Sequence, residues 1–68
     1  VPTDLAAALR ADATMRTHWE AFTPGKRRDY IEWIVGAKQP ATRARRLATT
    51  IAWVREGKSQ NWRYEAKR

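Results

Sequence analysis

Apolar residues recur along the chain at helical spacing, in segments separated by aspartate, proline or glycine. The apolar faces of the first two segments consist of Leu5, Ala8 and Leu9 and of Met15, Trp19 and Phe22. Thr3 or Asp4 is the predicted N-cap of the first helix, and Asp12 ends that helix and offers an N-cap for the next. The pattern leaves open whether the two segments are separate helices or one bent helix.

The third segment is the most regular amphipathic helix in the sequence. Thr23 is its predicted N-cap, and Pro24 fits the first helical position. Its apolar residues fall within an arc of about 160° on a helical projection: Tyr30, Ile31, Trp33, Ile34 and Ala37. Its charged residues Arg28, Asp29 and Glu32 lie on the opposite side. Gln39-Pro40 ends this helix, because the residue before a proline avoids the helical conformation.

The fourth segment starts at Pro40 and runs to Glu56, with Gly57 as its predicted C-terminal stop. One stripe is expected to face the core and consists of Ala44, Leu47, Ala48, Ile51 and Val54. No apolar period follows Gly57, so residues 58–68 are predicted to be a mobile basic tail from which Trp62 and Tyr64 can dock back. The sequence therefore predicts an all-α domain over residues 1–57, a compact bundle of three to four short helices with a flexible C-terminal tail.

Length and composition exclude several classes of protein. A single domain of 68 residues buries a small core, and four tryptophans are expected to supply much of it. The chain has no cysteine, which excludes disulfides and thiolate metal sites, and it has no apolar run long enough for a membrane span. No signal-peptide pattern is present. Because the chain starts at Val1, it is either processed or part of something longer.

Positive charge is concentrated in the second part of the chain. The formal net charge is +7, and residues 26–68 contain twelve of the fourteen lysines and arginines. A one-sided basic surface favours an anionic partner, such as nucleic acid, an acidic protein or anionic lipid. The alternative is a well-solvated helical surface that keeps the protein soluble.

The fourth helix has a second face with candidate contact residues. Thr42, Arg46, Thr49 and Trp53 recur on one side, almost opposite the aliphatic stripe. An aromatic residue directed away from the core is a candidate for partner contact, since tryptophan and arginine dominate binding hot spots. The alternative is that the fourth helix buries both faces and that Trp53 packs under the tail or the first helix.

The start of the fourth helix carries a basic group formed by Lys38, Thr42, Arg43 and Arg46. A helix N-terminus presents free N–H groups and a partial positive charge, so these residues predict an anion pocket. The same cations oppose the helix dipole. The alternative is therefore intramolecular pairing, with Asp29 or Glu32 as the expected partners.

No arrangement of residues predicts catalysis, and no cofactor or metal is expected. The carboxylates form no acid–base pair, and the single histidine, His18, is expected to be ordinary surface. Lys26, Arg27 and Arg28 extend the basic surface at the start of the third helix. These residues are compatible with nonspecific phosphate contact, whereas nothing supports sequence-specific reading of DNA.

Two blocks of the sequence resemble a known family. They are Val1-Pro2-x-Asp4-Leu5-x-x-Ala8-Leu9 and Arg28-x-Tyr30-x-x-Trp33-Ile34-x-x-Ala37-Lys38-x-x-x-Thr42-Arg43-x-Arg45-Arg46. With these blocks, residues 1–57 resemble the bacteriocin-protection, YdeI/OmpD-associated (OmdA) domain family. Val35 and Gly36 depart from the polar pair expected there, and the tail lies outside the family pattern.

The resemblance implies a small helical domain without catalytic residues, found alone or after a β-rich domain in bacterial proteins. The family name points to protection against bacteriocins or cationic antimicrobial peptides and to association with an outer-membrane porin. The family motif brings together Tyr30, Trp33, Lys38, Thr42, Arg43 and Arg46, which with Trp53 form the predicted interaction surface.

Three hypotheses for function follow. The leading one is a noncatalytic helical interaction module, linked to antimicrobial-peptide or envelope stress tolerance, that binds an acidic group on a protein partner such as a porin or another envelope protein. The alternative is a nonspecific nucleic-acid-binding accessory domain. A third is a domain that packs beside an N-terminal neighbour. The compartment stays open, because the missing signal peptide favours the cytoplasm and the family label favours the periplasm or envelope.

Overall fold

Four α-helices make up most of the structure, a computed structural model that describes residues 2–60 and Trp62. They are α1 (Thr3–Ala11), α2 (Ala13–Ala21), α3 (Pro24–Val35) and α4 (Pro40–Arg55). The described part of the chain contains no strand. The longest helix, α4, packs against both α2 and α3, and α1 packs against α2. The all-α prediction is confirmed.

Asp12 separates α1 from α2. Its backbone is extended, with φ −133° and ψ 104°, so the two segments are distinct helices rather than one bent helix. Its Oδ1 accepts a hydrogen bond from the Met15 backbone N–H at 3.1 Å, which is the predicted N-cap. Its Oδ2 lies 2.8 Å from Nε of Arg55, so the same carboxylate also contacts the end of α4.

The start of α3 and the end of α4 follow the predicted signals. The Thr23 hydroxyl accepts a hydrogen bond from the Lys26 N–H at 3.2 Å, and Pro24 occupies the first turn. After α4, Gly57 has a φ of 77°, which a residue with a side chain rarely adopts. The Gly57 N–H bonds to the Val54 carbonyl and the Lys58 N–H to the Trp53 carbonyl, each at 2.9 Å. This Schellman motif reverses the chain direction.

The core lies between all four helices. Its buried residues are Leu5, Leu9, Met15, Trp19, Tyr30, Ile34 and Val54. Burying a side chain of this size contributes about 1.5–3 kcal/mol, so these few residues carry much of the stability of so small a domain. Among the described residues, no helix is both long and apolar enough to cross a membrane.

The core-facing side of α4 differs from the predicted stripe. Ala44 and Ala48 are exposed, whereas Thr50 and Val54 are buried and Leu47 is half-buried. The centre of the buried face is therefore rotated by roughly 80° from the predicted one, toward Arg46 and Trp53. Thr50 tolerates complete burial because its hydroxyl donates a hydrogen bond to the Arg46 carbonyl at 2.8 Å.

Part of the predicted tail is described, and it packs against the helices. Ser59 is buried, and Lys58, Gln60 and Trp62 are half-buried. The Tyr30 hydroxyl donates a hydrogen bond to the Lys58 carbonyl, which holds the first tail residue against α3. Trp62 docks on the domain as the sequence suggested, while Tyr64 lies outside the described residues.

Candidate interaction surface

Three of the four tryptophans lie together at the surface and form what we call the tryptophan cluster, Trp33, Trp53 and Trp62. The rings of Trp33 and Trp53 are stacked, with centroids 5.8 Å apart and planes 4° from parallel. Trp62 meets Trp53 nearly at a right angle, also at 5.8 Å. All three are half-buried, whereas Trp19 belongs to the core. The cluster is thus a fixed aromatic surface that stays accessible to solvent.

Three different elements supply the cluster. Trp33 comes from the last turn of α3, Trp53 from the last turn of α4, and Trp62 from the segment that the Gly57 reversal sends back. On α3, Trp33 occupies one edge of the apolar arc, while the centre of the arc enters the core. A residue at such an edge keeps part of its ring in solvent.

Arg46 borders the cluster on the α4 side. Its guanidinium lies 5.5 Å from the centre of the Trp33 ring, within cation–π distance. Its Nη1 also donates a hydrogen bond to the Trp33 backbone carbonyl at 2.7 Å. That carbonyl is among the last four of α3, which have no partner within the helix, so Arg46 acts as a cationic cap on the α3 C-terminus.

Lys58 borders the cluster at Trp62. Its Nζ lies 4.2 Å from the centre of the Trp62 ring and 3.0 Å from Oε1 of Glu56. The cluster is therefore flanked by two cations, each in contact with an aromatic face. Tryptophan and arginine in such combinations are the residues most enriched at binding hot spots.

Tyr30 is not on this surface, contrary to the sequence prediction. Its side chain is fully buried, and its ring stacks on Phe22 at 6.1 Å and contacts Trp19 at the same centroid distance. Tyr30 lies in the middle of the α3 apolar arc, which packs directly onto the core. Its hydroxyl reaches the Lys58 carbonyl and so supports the surface from beneath.

The basic residues at the start of α4 do not converge on one point. Nη2 of Arg43 lies 3.2 Å from Oδ1 of Asp4, an ion pair that joins α1 to α4. Arg46 is directed to Trp33 instead, Lys38 is exposed and Thr42 is half-buried. Intramolecular pairing was the alternative to an anion pocket, but the carboxylate is Asp4 rather than the expected Asp29 or Glu32. Asp4 escaped prediction because 39 residues separate it from Arg43.

Trp53 packs under the segment that follows α4, which was the alternative to a ring directed away from the core. Trp53 is half-buried between Trp33 and Trp62, so the segment after α4 covers part of its ring, as that alternative expected. Thr42 and Thr49 on the same face are also half-buried. Trp53 is thus the central member of the tryptophan cluster.

His18 is not the ordinary surface residue that the sequence suggested. It is half-buried, and its Nδ1 lies 2.8 Å from the Val54 carbonyl at the end of α4. Its ring also faces Gly57, where an added Cβ would lie 3.8 Å from three ring atoms. His18 therefore fixes the end of α4 against α2, a role that a sequence separation of 36 residues conceals.

Other predicted chemistry is distributed over the molecule. At the start of α3, Lys26 and Arg27 are half-buried and Arg28 is exposed, so this basic segment is partly accessible to solvent. No group of three or more His, Asp or Glu side chains suited to a metal ion occurs among residues 2–60 and Trp62. The tryptophan cluster, partly exposed and in contact with two cations, is accordingly the most distinctive candidate site.

Comparison with protein families gives one match. The model of the family described as OmdA, bacteriocin-protection, YdeI or OmpD-associated, matches residues 1–57. Searches of curated proteins and of solved structures find no match. The family match covers α1 to α4 and ends at Gly57, so it contains Trp33, Arg46 and Trp53 and leaves Trp62 outside. Since it spans 57 of the 68 residues, the chain belongs to the OmdA family.

Proposed function

We propose that this protein is a noncatalytic interaction module that binds an acidic segment of a protein partner through the tryptophan cluster and the neighbouring cations. The family description supports a context in bacteriocin protection or the cell envelope. The observation that carries the proposal is the stacked pair of Trp33 and Trp53, which is partly exposed and bordered by Arg46.

The energetics of this surface favour binding. A tryptophan ring offers a large contact area, and the stacked geometry fixes both rings before a partner arrives, so little side-chain entropy is lost on association. Arg46 is already oriented by the Trp33 carbonyl and ring. A rigid aromatic and arginine anchor of this kind supplies a large share of the binding free energy at protein interfaces.

Charge complementarity selects an acidic partner. The net charge is +7. Arg43, Arg55 and Lys58 form ion pairs, while Lys38 in the α3–α4 connection and Arg45 in α4 are exposed. A basic surface repels a cationic antimicrobial peptide. Protection would therefore be indirect, through an acidic segment of an envelope protein such as a porin.

The absence of catalysis belongs to the same proposal. The chain offers no cysteine, and its single histidine is engaged with the Val54 carbonyl. The family description speaks of protection and association and names no reaction.

The test is a ¹⁵N–¹H chemical-shift titration of the full chain with an acetylated peptide of glutamates and serines. We expect shifts at Lys38 and around Arg43 to Arg46 that persist at physiological salt. Lys38→Gln combined with Arg45→Gln should weaken binding several-fold. Arg10→Gln combined with Arg16→Gln removes the same charge from α1 and α2 and should leave the affinity nearly unchanged. Equal weakening by both pairs would show that the peptide responds to net charge rather than to this surface.

Nonspecific nucleic-acid binding is the second candidate, and the partly accessible Lys26, Arg27 and Arg28 at the start of α3 favour it. Phosphate contacts release counterions, so this binding should weaken steeply with salt. The same titration with a short DNA duplex at two salt concentrations separates the candidates. Shifts at Lys26 to Arg28 at low salt that shrink steeply at the higher salt concentration would support nucleic-acid binding, and an absence of shifts at both concentrations would reject it.

A further inference from the structure

We propose that the tryptophan cluster is a receptor for an aromatic side chain within the partner's acidic segment, and that Trp62 occupies this receptor from within the same chain. The proposal deepens the proposed function and rests on it. The occupying segment, residues 58–60 and Trp62, is called the strap. It begins at the Gly57 reversal and brings Trp62 onto Trp53, where the two rings meet at 82°.

Receptor and occupant come from different parts of the chain. Trp33, Arg46 and Trp53 all lie within residues 1–57, which the family model matches, and their mutual contacts do not involve the strap. Trp62 lies beyond the match. Residues 1–57 thus carry a surface that accepts the edge of an aromatic ring, and Trp62 fills it from beyond the family match.

The strap is held by contacts that a partner can displace. Edge-to-face aromatic pairs and exposed cation–π contacts are each weak, although the short connection gives Trp62 an effective concentration in the millimolar range. The Tyr30 hydroxyl anchors Lys58 at the base of the strap, so Trp62 is able to leave while the base stays fixed. A partner therefore competes with Trp62 at the outer end of the strap, while Lys58 stays anchored to Tyr30.

Charge gives the partner an advantage over the strap. The described strap residues are Lys58, Ser59, Gln60 and Trp62, and none of them is acidic. Arg46 at the border of the cluster consequently gains no carboxylate from the strap, whereas Lys58 is already paired with Glu56. A segment that places an aromatic side chain between carboxylates fits both the aromatic surface and its cationic border.

The test compares full-length chains that differ only in the strap. The probe is an acetylated peptide with one tryptophan between two pairs of glutamates, and its control replaces that tryptophan by alanine. Trp62→Ala should bind the tryptophan peptide about ten-fold more tightly than the wild type, because apparent affinity falls with the fraction of open receptor. Gln60→Ala alters the strap but keeps the contact between Trp62 and Trp53, so its affinity for the tryptophan peptide should equal that of the wild type.

Tyr30→Phe provides a second variant. It removes the hydrogen bond to the Lys58 carbonyl at the base of the strap and keeps the Trp62 residue itself. It should bind the tryptophan peptide more tightly than the wild type and less tightly than Trp62→Ala. Dispersed ¹⁵N–¹H spectra show that each variant is folded before its affinity is compared.

Each result has one meaning. Tighter binding of the tryptophan peptide alone, in the expected order of variants, supports the proposal. Equal affinity of both peptides for all chains overturns the aromatic receptor and leaves acidic binding intact. If neither peptide binds any of the chains, both proposals are overturned. Weaker binding by Trp62→Ala would make Trp62 part of the binding surface rather than its competitor, and would also overturn the proposal.

Discussion

The protein contains two groups of three aromatic rings with similar spacing and different exposure. The first, Trp19, Phe22 and Tyr30, has centroid distances of 6.1–6.4 Å and is called the core aromatic group. Trp19 is only 6% exposed, Tyr30 is fully buried and Phe22 is half-buried. The tryptophan cluster has centroid distances of 5.8 Å, and all three of its residues are half-buried. Ring contacts alone therefore do not determine what an aromatic group does.

The surroundings of the two groups differ. Aliphatic core residues complete the packing of the core aromatic group, whereas Arg46 and Lys58 border the tryptophan cluster. The first group removes apolar surface from water and so stabilises the fold. The second leaves apolar surface accessible beside positive charge, which favours association. Substitutions in the two groups should therefore affect different measurements.

The largest effect is expected at Trp19. Trp19→Ala should lower the free energy of unfolding by about 3–5 kcal/mol, because it leaves a cavity in the small core. Urea denaturation followed by far-UV circular dichroism measures the change. A loss below about 1 kcal/mol would remove the distinction between the two aromatic groups.

A smaller effect is expected at Arg46. Arg46→Met keeps an unbranched chain but removes the charged hydrogen bond to the Trp33 carbonyl, and should lower the free energy of unfolding by about 1.5 kcal/mol. Arg45→Met on the exposed side of α4 is the matched control and should change stability by under about 0.5 kcal/mol. Equal effects of the two substitutions would show that Arg46 does not stabilise the end of α3.

Tyr30 connects the two groups, since its ring is in the core and its hydroxyl holds Lys58. Tyr30→Phe preserves the ring and should lower the free energy of unfolding by about 1 kcal/mol. It should also shift the indole resonance of Trp62 and leave that of Trp19 nearly unchanged. Unchanged Trp62 would mean that the hydroxyl does not hold the strap.

The smallest effect on stability is expected at Trp62. Trp62→Ala should lower the free energy of unfolding by about 0.5–1.5 kcal/mol, the range of an edge-to-face aromatic contact. Thermal unfolding of this variant beside Gln60→Ala measures the difference. A loss comparable to that of Trp19→Ala would place Trp62 in the core rather than in a displaceable strap.

Local sequence signals predicted most of the fold. The caps at Asp12 and Thr23, the starts at Pro24 and Pro40 and the stop at Gly57 depend on neighbouring residues and are all confirmed. The apolar arc of α3 also predicts how deeply each of its residues is buried. Its central residues, Tyr30 and Ile34, are fully buried, and its edge residues, Ile31 and Trp33, are half-buried. Because Tyr30 lies at the centre of the arc, its position predicts burial and excludes it from the interaction surface.

Contacts between distant residues could not be predicted from periodicity. The pairing of Arg43 with Asp4, the contact of His18 with Val54 and the seat of Trp62 on Trp53 depend on how the helices cross. The prediction of the buried face of α4 was wrong for the same reason. Trp33 and Trp62 pack against Trp53, on a side of α4 that has no aliphatic residues to indicate burial. The other predicted surface residues lie near the tryptophan cluster's cationic border or at the start of α4, and their role in binding stays a prediction.

The most direct test of the tryptophan cluster as the binding surface is a titration of the full chain with the tryptophan-containing acidic peptide, followed at the four tryptophan indole N–H resonances. We expect progressive shifts at Trp33, Trp53 and Trp62 and a nearly constant resonance at Trp19. Shifts confined to the backbone of Lys26 to Arg28, or equal shifts at all four indoles, would contradict the claim that the half-exposed aromatic group is the binding surface.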